Sequence, residues 1–181
     1  MKTAFITGAT SGIGKAITRR LAKDDFALIL IGRRNERLSA LKKELELNHN
    51  TKVFTLCFDV RVYDQVEKAI NSLPDEWQTI DVLINNAGLA AGADPLHTAS
   101  INDWEQMIDT NIKGLLYVTR LISPGMVARK SGHIINIGSI AGRMVYPNGS
   151  VYCAIIQPPH VNIQDMLIMP TAQANSLMIH R

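Results

Sequence analysis

The sequence predicts a doubly wound α/β fold, in which a parallel sheet carries helices on both faces. Short apolar runs of strand length alternate along the chain with longer segments whose apolar residues recur at helical spacing. The strand-like runs are continuously apolar, which is typical of strands buried on both faces. A glycine-rich turn joins the first strand to the first helix. That order of elements favours a single domain of the Rossmann type.

Five strands are predicted, and each is a β-rich apolar run bounded by turn residues or charges. The second reads Ala-Leu-Ile-Leu-Ile, and the fifth reads Gly-His-Ile-Ile-Asn-Ile. The second lacks the polar alternation of a strand that faces water. In chain order the predicted strands lie at residues 3–7, 27–31, 52–58, 82–85 and 132–137.

Five helices are predicted between and after these strands. Leu38, Leu41 and Leu45 recur at spacings of three and four, so they share one face of the second helix. Pro74 ends the third helix, and the fifth is expected to end near Pro124 because proline interrupts a helix. The predicted helices lie at residues 12–23, 35–47, 62–73, 101–109 and 112–122.

Composition narrows the class of protein. The 181 residues are 46% hydrophobic, which is enough for one domain with a core, and we assign residues 1–181 to it. The net charge of +3 comes from scattered residues, and aromatics are only 6%, so nucleic-acid binding is not expected. No apolar run reaches the length of a membrane span, and no signal peptide is visible, so we expect a cytoplasmic protein without a membrane partner.

Cysteines and histidines give no sign of a metal site. Cys57 and Cys153 are far apart, and Cys57 lies in an apolar run that predicts a buried side chain. The five histidines show no ligand spacing. They are His49, His97, His133, His160 and His180.

The glycine-rich turn follows the first strand and opens the first helix. Gly8 permits the sharp turn, Gly12 lets the backbone approach a pyrophosphate, and Gly14 allows close packing of helix on sheet. The N–H groups and positive dipole end of the helix then face the anion. This context predicts dinucleotide binding rather than a purely structural turn. The candidate cofactor residues are Gly8, Ala9, Thr10, Ser11, Gly12, Ile13 and Gly14.

Arg33 and Arg34 follow the second strand, where an NAD site usually offers a carboxylate to the ribose. A carboxylate would repel a 2′-phosphate, whereas a guanidinium can bind it with paired hydrogen bonds. The alternative is that both arginines merely begin an exposed helix. Cations are unfavourable at a helix N-terminus, which favours the functional interpretation. NADP is therefore the predicted cofactor.

Further short motifs complete a pattern. They are Asp59-Val60, Asn-Asn-Ala-Gly at residues 85–88, Asn111, Ser139, and Tyr152 thirteen residues after Ser139. Together with the turn they resemble the short-chain dehydrogenase/reductase family. The resemblance implies that Asp59 and Val60 contact adenine and that Asn86 and Ala87 lie beside the cofactor.

The same resemblance implies a catalytic set of Asn111, Ser139 and Tyr152. Tyr152 would transfer the proton and also contact the cofactor, Ser139 would bind the substrate oxygen, and Asn111 would anchor a water. Stretches such as residues 132–139 are similar to the NADP-dependent 3-hydroxy acid dehydrogenases of the family, which include serine 3-dehydrogenases. The implied substrate is a small 3-hydroxy acid of the serine or allo-threonine type. The implied assembly is a homo-oligomer, a tetramer if the chain is intact.

One position departs from the family pattern. A lysine is expected four residues after the tyrosine, because a free phenol has a pKa near 10 and a neighbouring cation lowers it. Residue 156 is isoleucine, and no lysine follows Lys130. The lysine, a long helix, a sixth strand and a substrate loop are all expected between residues 154 and 156. Residues 158–181 resemble the end of the family's chain.

This missing segment has three open explanations: a shortened or spliced gene product, a damaged clone, or further residues that belong to the chain at this point. The functional alternatives follow from them. The first is an NADP-dependent dehydrogenase of 3-hydroxy acids. The second is a catalytically impaired NADP-binding protein, which lost the lysine and the substrate loop.

Overall fold

The computed structural model describes residues 1–142, 144 and 146–155 of the 181-residue chain. Five strands form one parallel sheet in the order β3-β2-β1-β4-β5. The strands are β1 (Thr3–Ile6), β2 (Ala27–Gly32), β3 (Val53–Cys57), β4 (Val82–Asn85) and β5 (His133–Asn136). This is the strand order of dinucleotide-binding domains, with its reversal between β1 and β4. The predicted fold class is confirmed.

Within the described residues, six α-helices connect or follow these strands. They are α1 (Gly12–Lys23), α2 (Asn35–His49), α3 (Tyr63–Asn71), α4 (Ile101–Ile108), α5 (Leu115–Arg129) and α6 (Ser150–Ile155). A π-helix at Asp109–Gly114 joins α4 to α5, and 3₁₀ turns lie at Asp75–Trp77 and Ile140–Gly142. No helix in the described part of the chain is long and apolar enough to cross a membrane.

Successive residues of the central strands pack into two different cores. Phe5 of β1 and Ile29 of β2 belong to the core that α5 covers with Val118 and Ile122. Their neighbours in the strands join the core on the other side, with Leu38, Leu41 and Leu45 of α2. Because side chains alternate along a strand, a sheet buried on both faces needs the continuous apolar runs seen in the sequence.

Two predictions about the helices are wrong. The fifth helix does not end near Pro124 but continues to Arg129. Pro124 is exposed, and so is Arg120, whose carbonyl it leaves without an intrahelical partner, so water can satisfy that group. Val118, Ile122 and Met126 are buried along one face of α5. Their packing stabilises the helix beyond the proline.

The gap predicted between residues 109 and 112 is also absent, because the π-helix continues the chain between α4 and α5. Such an insertion shifts the side chains that follow it around the helix axis, and π segments occur frequently at functional sites. Cys57 is a further correction, since its side chain is exposed rather than buried. It ends β3, which is an outer strand among the described strands of the sheet, so no described strand pairs with its other side.

Candidate functional site

The glycine-rich turn lies at the carboxyl ends of β1 and β4. Gly8 has φ +65° and Gly12 has φ +51°, the left-handed conformation that glycine adopts without strain. Gly8 is also closely packed, since a Cβ there would lie 2.9 Å from the side-chain Nδ2 of Asn86 and 3.0 Å from the Cα of Ala87. Both reasons make Gly8 a glycine position, as the sequence predicted for the sharp turn.

Thr7 joins the turn to the end of β4. Its buried hydroxyl accepts hydrogen bonds from the main-chain N–H groups of Asn86 and Ala87, both at 2.9 Å. The side chain of Asn86 reaches back and donates from Nδ2 to the carbonyls of Thr7, at 3.0 Å, and Gly8, at 3.2 Å. These reciprocal bonds hold the two strand ends in one fixed arrangement.

Gly14 and Gly12 differ in what surrounds them. A Cβ on Gly14 would overlap the carbonyl oxygen of Gly8 and the side-chain Nδ2 of Asn86. Gly14 therefore allows α1 to pack closely where β1 and β4 end. At Gly12, by contrast, no described atom lies within 4 Å of the Cβ position apart from its two chain neighbours and the backbone of its own helix. The backbone here borders an open space that a ligand can enter.

The remaining residues of the turn are divided between the core and the surface. Ala9 is fully buried, and its N–H donates to the Ile31 carbonyl at 3.0 Å, so this N–H serves the fold. Thr10 packs on Gly32 at the end of β2. Ser11 and Ile13 are exposed at the start of α1, where the first N–H groups of the helix point outward. These groups are available to an anion.

Asp59, just after β3, is held by Arg61. The Arg61 guanidinium donates from Nη2 to Asp59 Oδ2 at 2.6 Å and from Nε to both carboxylate oxygens at 3.0 Å. Burial opposes ionisation of the carboxyl group, but the hydrogen bonds from Arg61 outweigh it and hold the pKa of Asp59 below its usual value. Arg33 approaches the same carboxylate less closely, with Nη1 at 3.8 Å from Oδ2. Arg34 is exposed and precedes α2 as its N-cap residue.

Val60, just after β3, is buried, and Ala87, just after β4, is partly buried. Val60 lies against Gly114 of the π-helix, where a Cβ would come within 2.8 Å of the Val60 Cγ2. Ala87 packs against the core beneath α5. Both residues therefore fix the backbone around the site through apolar contact.

Asn111 lies in the π-helix and binds the loop after β4. Its Oδ1 accepts from the Leu89 N–H at 2.9 Å, and its Nδ2 donates to the Leu89 carbonyl at 2.8 Å. A Cβ on the neighbouring Gly88 would lie 3.2 Å from the same Oδ1. The side-chain amide thus pairs with the main chain of residue 89 and sets the course of the loop.

Asn111→Ala is expected to destabilise the chain by about 2 kcal/mol, because it removes both bonds and leaves partly buried main-chain groups unpaired. Urea denaturation measures this loss. Asn102→Ala is the matched control, since Asn102 is exposed in the preceding helix α4. An equal loss in the two variants would contradict the role of Asn111 in holding the loop.

Ser139 and Tyr152 belong to neighbouring elements. Ser139 precedes the 3₁₀ turn, and its Oγ accepts from the Ala141 N–H at 3.2 Å, which leaves the hydroxyl hydrogen free to donate elsewhere. Helix α6, which carries Tyr152, packs against this turn and against α4. Tyr152 lines a cleft together with Trp104, Met107, Tyr146 and Asp103. Ser139 and Asn111 are not among the lining residues of that cleft.

Tyr146, on the wall of the same cleft, was not predicted from the sequence. Burial, with smaller contributions from Cys153 and Tyr152, raises the pKa of its phenol. The roles of Arg61 and Leu89, and the bonds from Thr7 to the end of β4, were also not predicted. Their contacts join positions far apart in the chain or depend on rotamers, and spacing along the sequence carries no sign of either.

Fold and site together define a class of protein. A sheet with this strand order, a glycine turn at its reversal point and an exposed helix N-terminus are the features of a dinucleotide-binding α/β domain. A family model described as short chain dehydrogenase matches residues 2–155. The chain belongs to the short-chain dehydrogenase family.

Relatives within the family are closely similar. The NADP-dependent 3-hydroxy acid dehydrogenase YdfG of Salmonella typhi is 54% identical over 150 residues, which is 83% of this chain and 59% of that protein. Sulfoacetaldehyde reductase 2 of Chromohalobacter salexigens is 45% identical over 151 residues, again 83% of this chain and 59% of that protein.

A solved structure shows the same similarity. The closed form of a serine dehydrogenase complexed with NADP⁺ superposes with a TM-score of 0.79 and 52% sequence identity, and it covers 85% of this chain and 60% of that chain. This chain therefore spans about three fifths of the length of these relatives.

Proposed function

We propose that this chain is an oxidoreductase that transfers a hydride between NADP and a small 3-hydroxy acid of the serine or allo-threonine type. The observation that carries the proposal is the open space in front of Gly12 at the N-terminus of α1. Arg33 is exposed after β2, the strand next to β1 in the sheet. The names of the similar proteins, an NADP-dependent 3-hydroxy acid dehydrogenase and a serine dehydrogenase, support it.

The residues around the glycine turn fit NADP. The N-terminus of α1 offers N–H groups and a positive dipole to the pyrophosphate, and the Gly12 position leaves room for it. Arg33 and Arg34 offer guanidinium groups to a 2′-phosphate. Asp59 and Val60 are assigned to the adenine, and Asn86 and Ala87 are assigned positions beside the cofactor. When bound, NADP supplies the hydride acceptor or donor.

The proton chemistry is assigned to residues of the chain itself. The Tyr152 hydroxyl gives a proton to the substrate oxygen when a carbonyl is reduced and takes it when an alcohol is oxidised. Ser139 donates a hydrogen bond to the same oxygen, for which its hydroxyl hydrogen is available. Asn111 keeps the loop after β4 in place beside them and is assigned to a water of the proton path.

A second candidate is an NADP-binding protein without turnover. It is favoured by residue 156, which is isoleucine, and by the family match, which ends at residue 155. Without a nearby cation, the phenolate form of the proton-transfer group lacks the opposite charge that would favour it. A segment that carries the missing lysine would lie between residues 154 and 156. Residues 156–181 lie outside the described part, and so does the predicted resemblance of residues 158–181 to the family's chain end.

Purified protein decides between the two candidates. We expect NADP to bind and to be reduced when L-serine or L-allo-threonine is added, followed by the absorbance of the reduced nicotinamide. Tyr152→Phe is expected to lower the rate by at least about a hundredfold, because it removes the proton-transfer group. Tight NADP binding without measurable reduction would support the second candidate, and failure to bind NADP would contradict both. The intact mass completes the test: 20.0 kDa corresponds to the chain as read, and a heavier chain indicates an additional segment.

A further inference from the structure

Three charged side chains meet where β2 and β3 end, and we call them the Asp59 cluster: Asp59, Arg61 and Arg33. Asp59 is the central member, and 18% of its side chain is exposed. Arg61 binds it through two nitrogens and also through its own main-chain N–H, which donates to Oδ1 at 3.0 Å. The negative charge of Asp59 is therefore matched closely by one arginine.

Arg33 approaches the carboxylate of Asp59 without forming a hydrogen bond to it. Its Nη1 lies 3.8 Å from Oδ2, too far for a hydrogen bond, and 61% of its side chain is exposed. The Arg61 nitrogen lies 2.6 Å from the same oxygen. Arg61 thus makes the hydrogen bonds to Asp59, and the N–H donors of the Arg33 guanidinium are available to another partner.

The placement of these charges matters for an anion bound next to Arg33. A carboxylate at the end of these strands repels a phosphate unless its charge is compensated. If Arg61 were absent, Asp59 would be unpaired, and a movement of about 1 Å would bring Arg33 into hydrogen-bonding distance of it. Arg33 would then be bound to Asp59, and its charge would no longer be free for a phosphate.

We propose that Arg61 is a positioning residue for cofactor selectivity: it neutralises Asp59 and so leaves Arg33 to bind the 2′-phosphate that distinguishes NADP from NAD. Arg61 itself does not contact the phosphate in this proposal. The inference rests on the proposed NADP function and adds to it Arg61, the residue that directly follows the Asp-Val motif.

The test compares the dissociation constants of NADP and NAD, each titrated calorimetrically into the full chain. Arg61→Ala is expected to reduce the preference for NADP over NAD by about tenfold. The unpaired carboxylate of Asp59 would repel the 2′-phosphate, but the site is partly exposed, so solvent and salt screen this repulsion. Adding Asp59→Asn to Arg61→Ala is expected to restore the preference to within about twofold of the wild type. NADP and NAD share the adenine, so any effect of Asp59→Asn on adenine binding cancels in the ratio of their dissociation constants.

Arg19→Ala is the matched control. Arg19 also binds a carboxylate through two nitrogens, with Nε at 2.6 Å and Nη2 at 3.0 Å from the oxygens of Glu44, and it lies two turns along α1 from the glycine turn. The control loses the same charge and the same kind of ion pair, and its cofactor preference is expected to stay unchanged. If Arg61→Ala fails to fold, Arg61→Gln removes the charge and keeps most of the stem.

Several outcomes would overturn the proposal. An Arg61 variant with the preference of Arg19→Ala would show that Arg61 has no influence on selectivity. A double variant as unselective as Arg61→Ala would show that Arg61 binds the phosphate directly. Wild type that binds both nucleotides equally would remove the selectivity to be explained and leave dinucleotide binding intact. Wild type that binds neither would overturn the proposed function as well.

Discussion

Gly14→Ala is expected to destabilise the chain by about 3 kcal/mol and to abolish NADP binding. The new methyl group would overlap the carbonyl oxygen of Gly8 and the amide nitrogen of Asn86. One of these is main chain, and the other is held by hydrogen bonds to the carbonyls of Thr7 and Gly8. Neither can move without breaking the arrangement that joins β1 to β4.

Two other glycines provide controls for this prediction. The methyl group of Gly12→Ala meets no other part of the described chain within 4 Å beyond its chain neighbours and its own helix backbone. The variant is therefore expected to cost only about 1 kcal/mol for its left-handed backbone while still weakening NADP binding. Gly125→Ala lies within α5, where its nearest contact is the flexible end of Arg129 at 3.1 Å. Alanine is the better helix former, so this variant is expected to gain about 0.5 kcal/mol.

Chemical denaturation and NADP titration of the three variants measure both effects. The expected order of stability is Gly125→Ala, wild type, Gly12→Ala and Gly14→Ala. If Gly14→Ala proved as stable as Gly12→Ala, the close packing of α1 on the turn would be contradicted. If Gly12→Ala bound NADP as tightly as the wild type, the open space in front of Gly12 would not be the pyrophosphate site.

The sheet could be predicted from the sequence because its signal is local. Strand β2 is continuously apolar, and this pattern fits a strand with a core on each face. Gly8 and Gly12 could be predicted for the same reason, since positive φ is a property of single residues. Each of these features is determined by a few adjacent positions and requires no knowledge of distant partners.

The region from residue 109 to residue 129 could not be predicted in the same way. Pro124 is a local signal for a helix end, but Val118, Ile122 and Met126 pack on the core and stabilise the helix on both sides of it. The π-helix likewise has no recognisable local pattern, and its Asn111 bonds residue 89, which is 22 positions away in the sequence. Tertiary packing here overrides the local preference.

The detailed contacts of the site were also beyond the sequence. Asn86 and Thr7 are 79 residues apart and meet only because β1 and β4 are neighbours in the sheet. Arg61 is two residues from Asp59, yet spacing alone does not say which charges a long side chain will reach. The motifs could therefore place the residues of the site at one edge of the sheet, while the hydrogen bonds that organise this edge required the structure.

Thr7→Val is the substitution with the second large expected effect, a loss of about 3 kcal/mol in the free energy of unfolding. Valine has nearly the same shape as threonine but cannot accept a hydrogen bond. The N–H groups of Asn86 and Ala87, which both bond the Thr7 hydroxyl at 2.9 Å, would lose their partner in a site where Thr7 is only 2% exposed. Each unpaired buried group costs about 1–3 kcal/mol.

Thr7→Ser separates the hydroxyl from the methyl group. Serine keeps the acceptor for both N–H groups and loses only one buried methyl, so its expected cost is about 1 kcal/mol. Denaturation in urea, together with NADP titration of both variants, checks the difference. Because the Thr7 hydroxyl fixes the end of β4 relative to the glycine turn, Thr7→Val should also weaken NADP binding more than Thr7→Ser does. Equal losses in the two variants would show that the methyl contact, rather than the two hydrogen bonds, joins these strand ends.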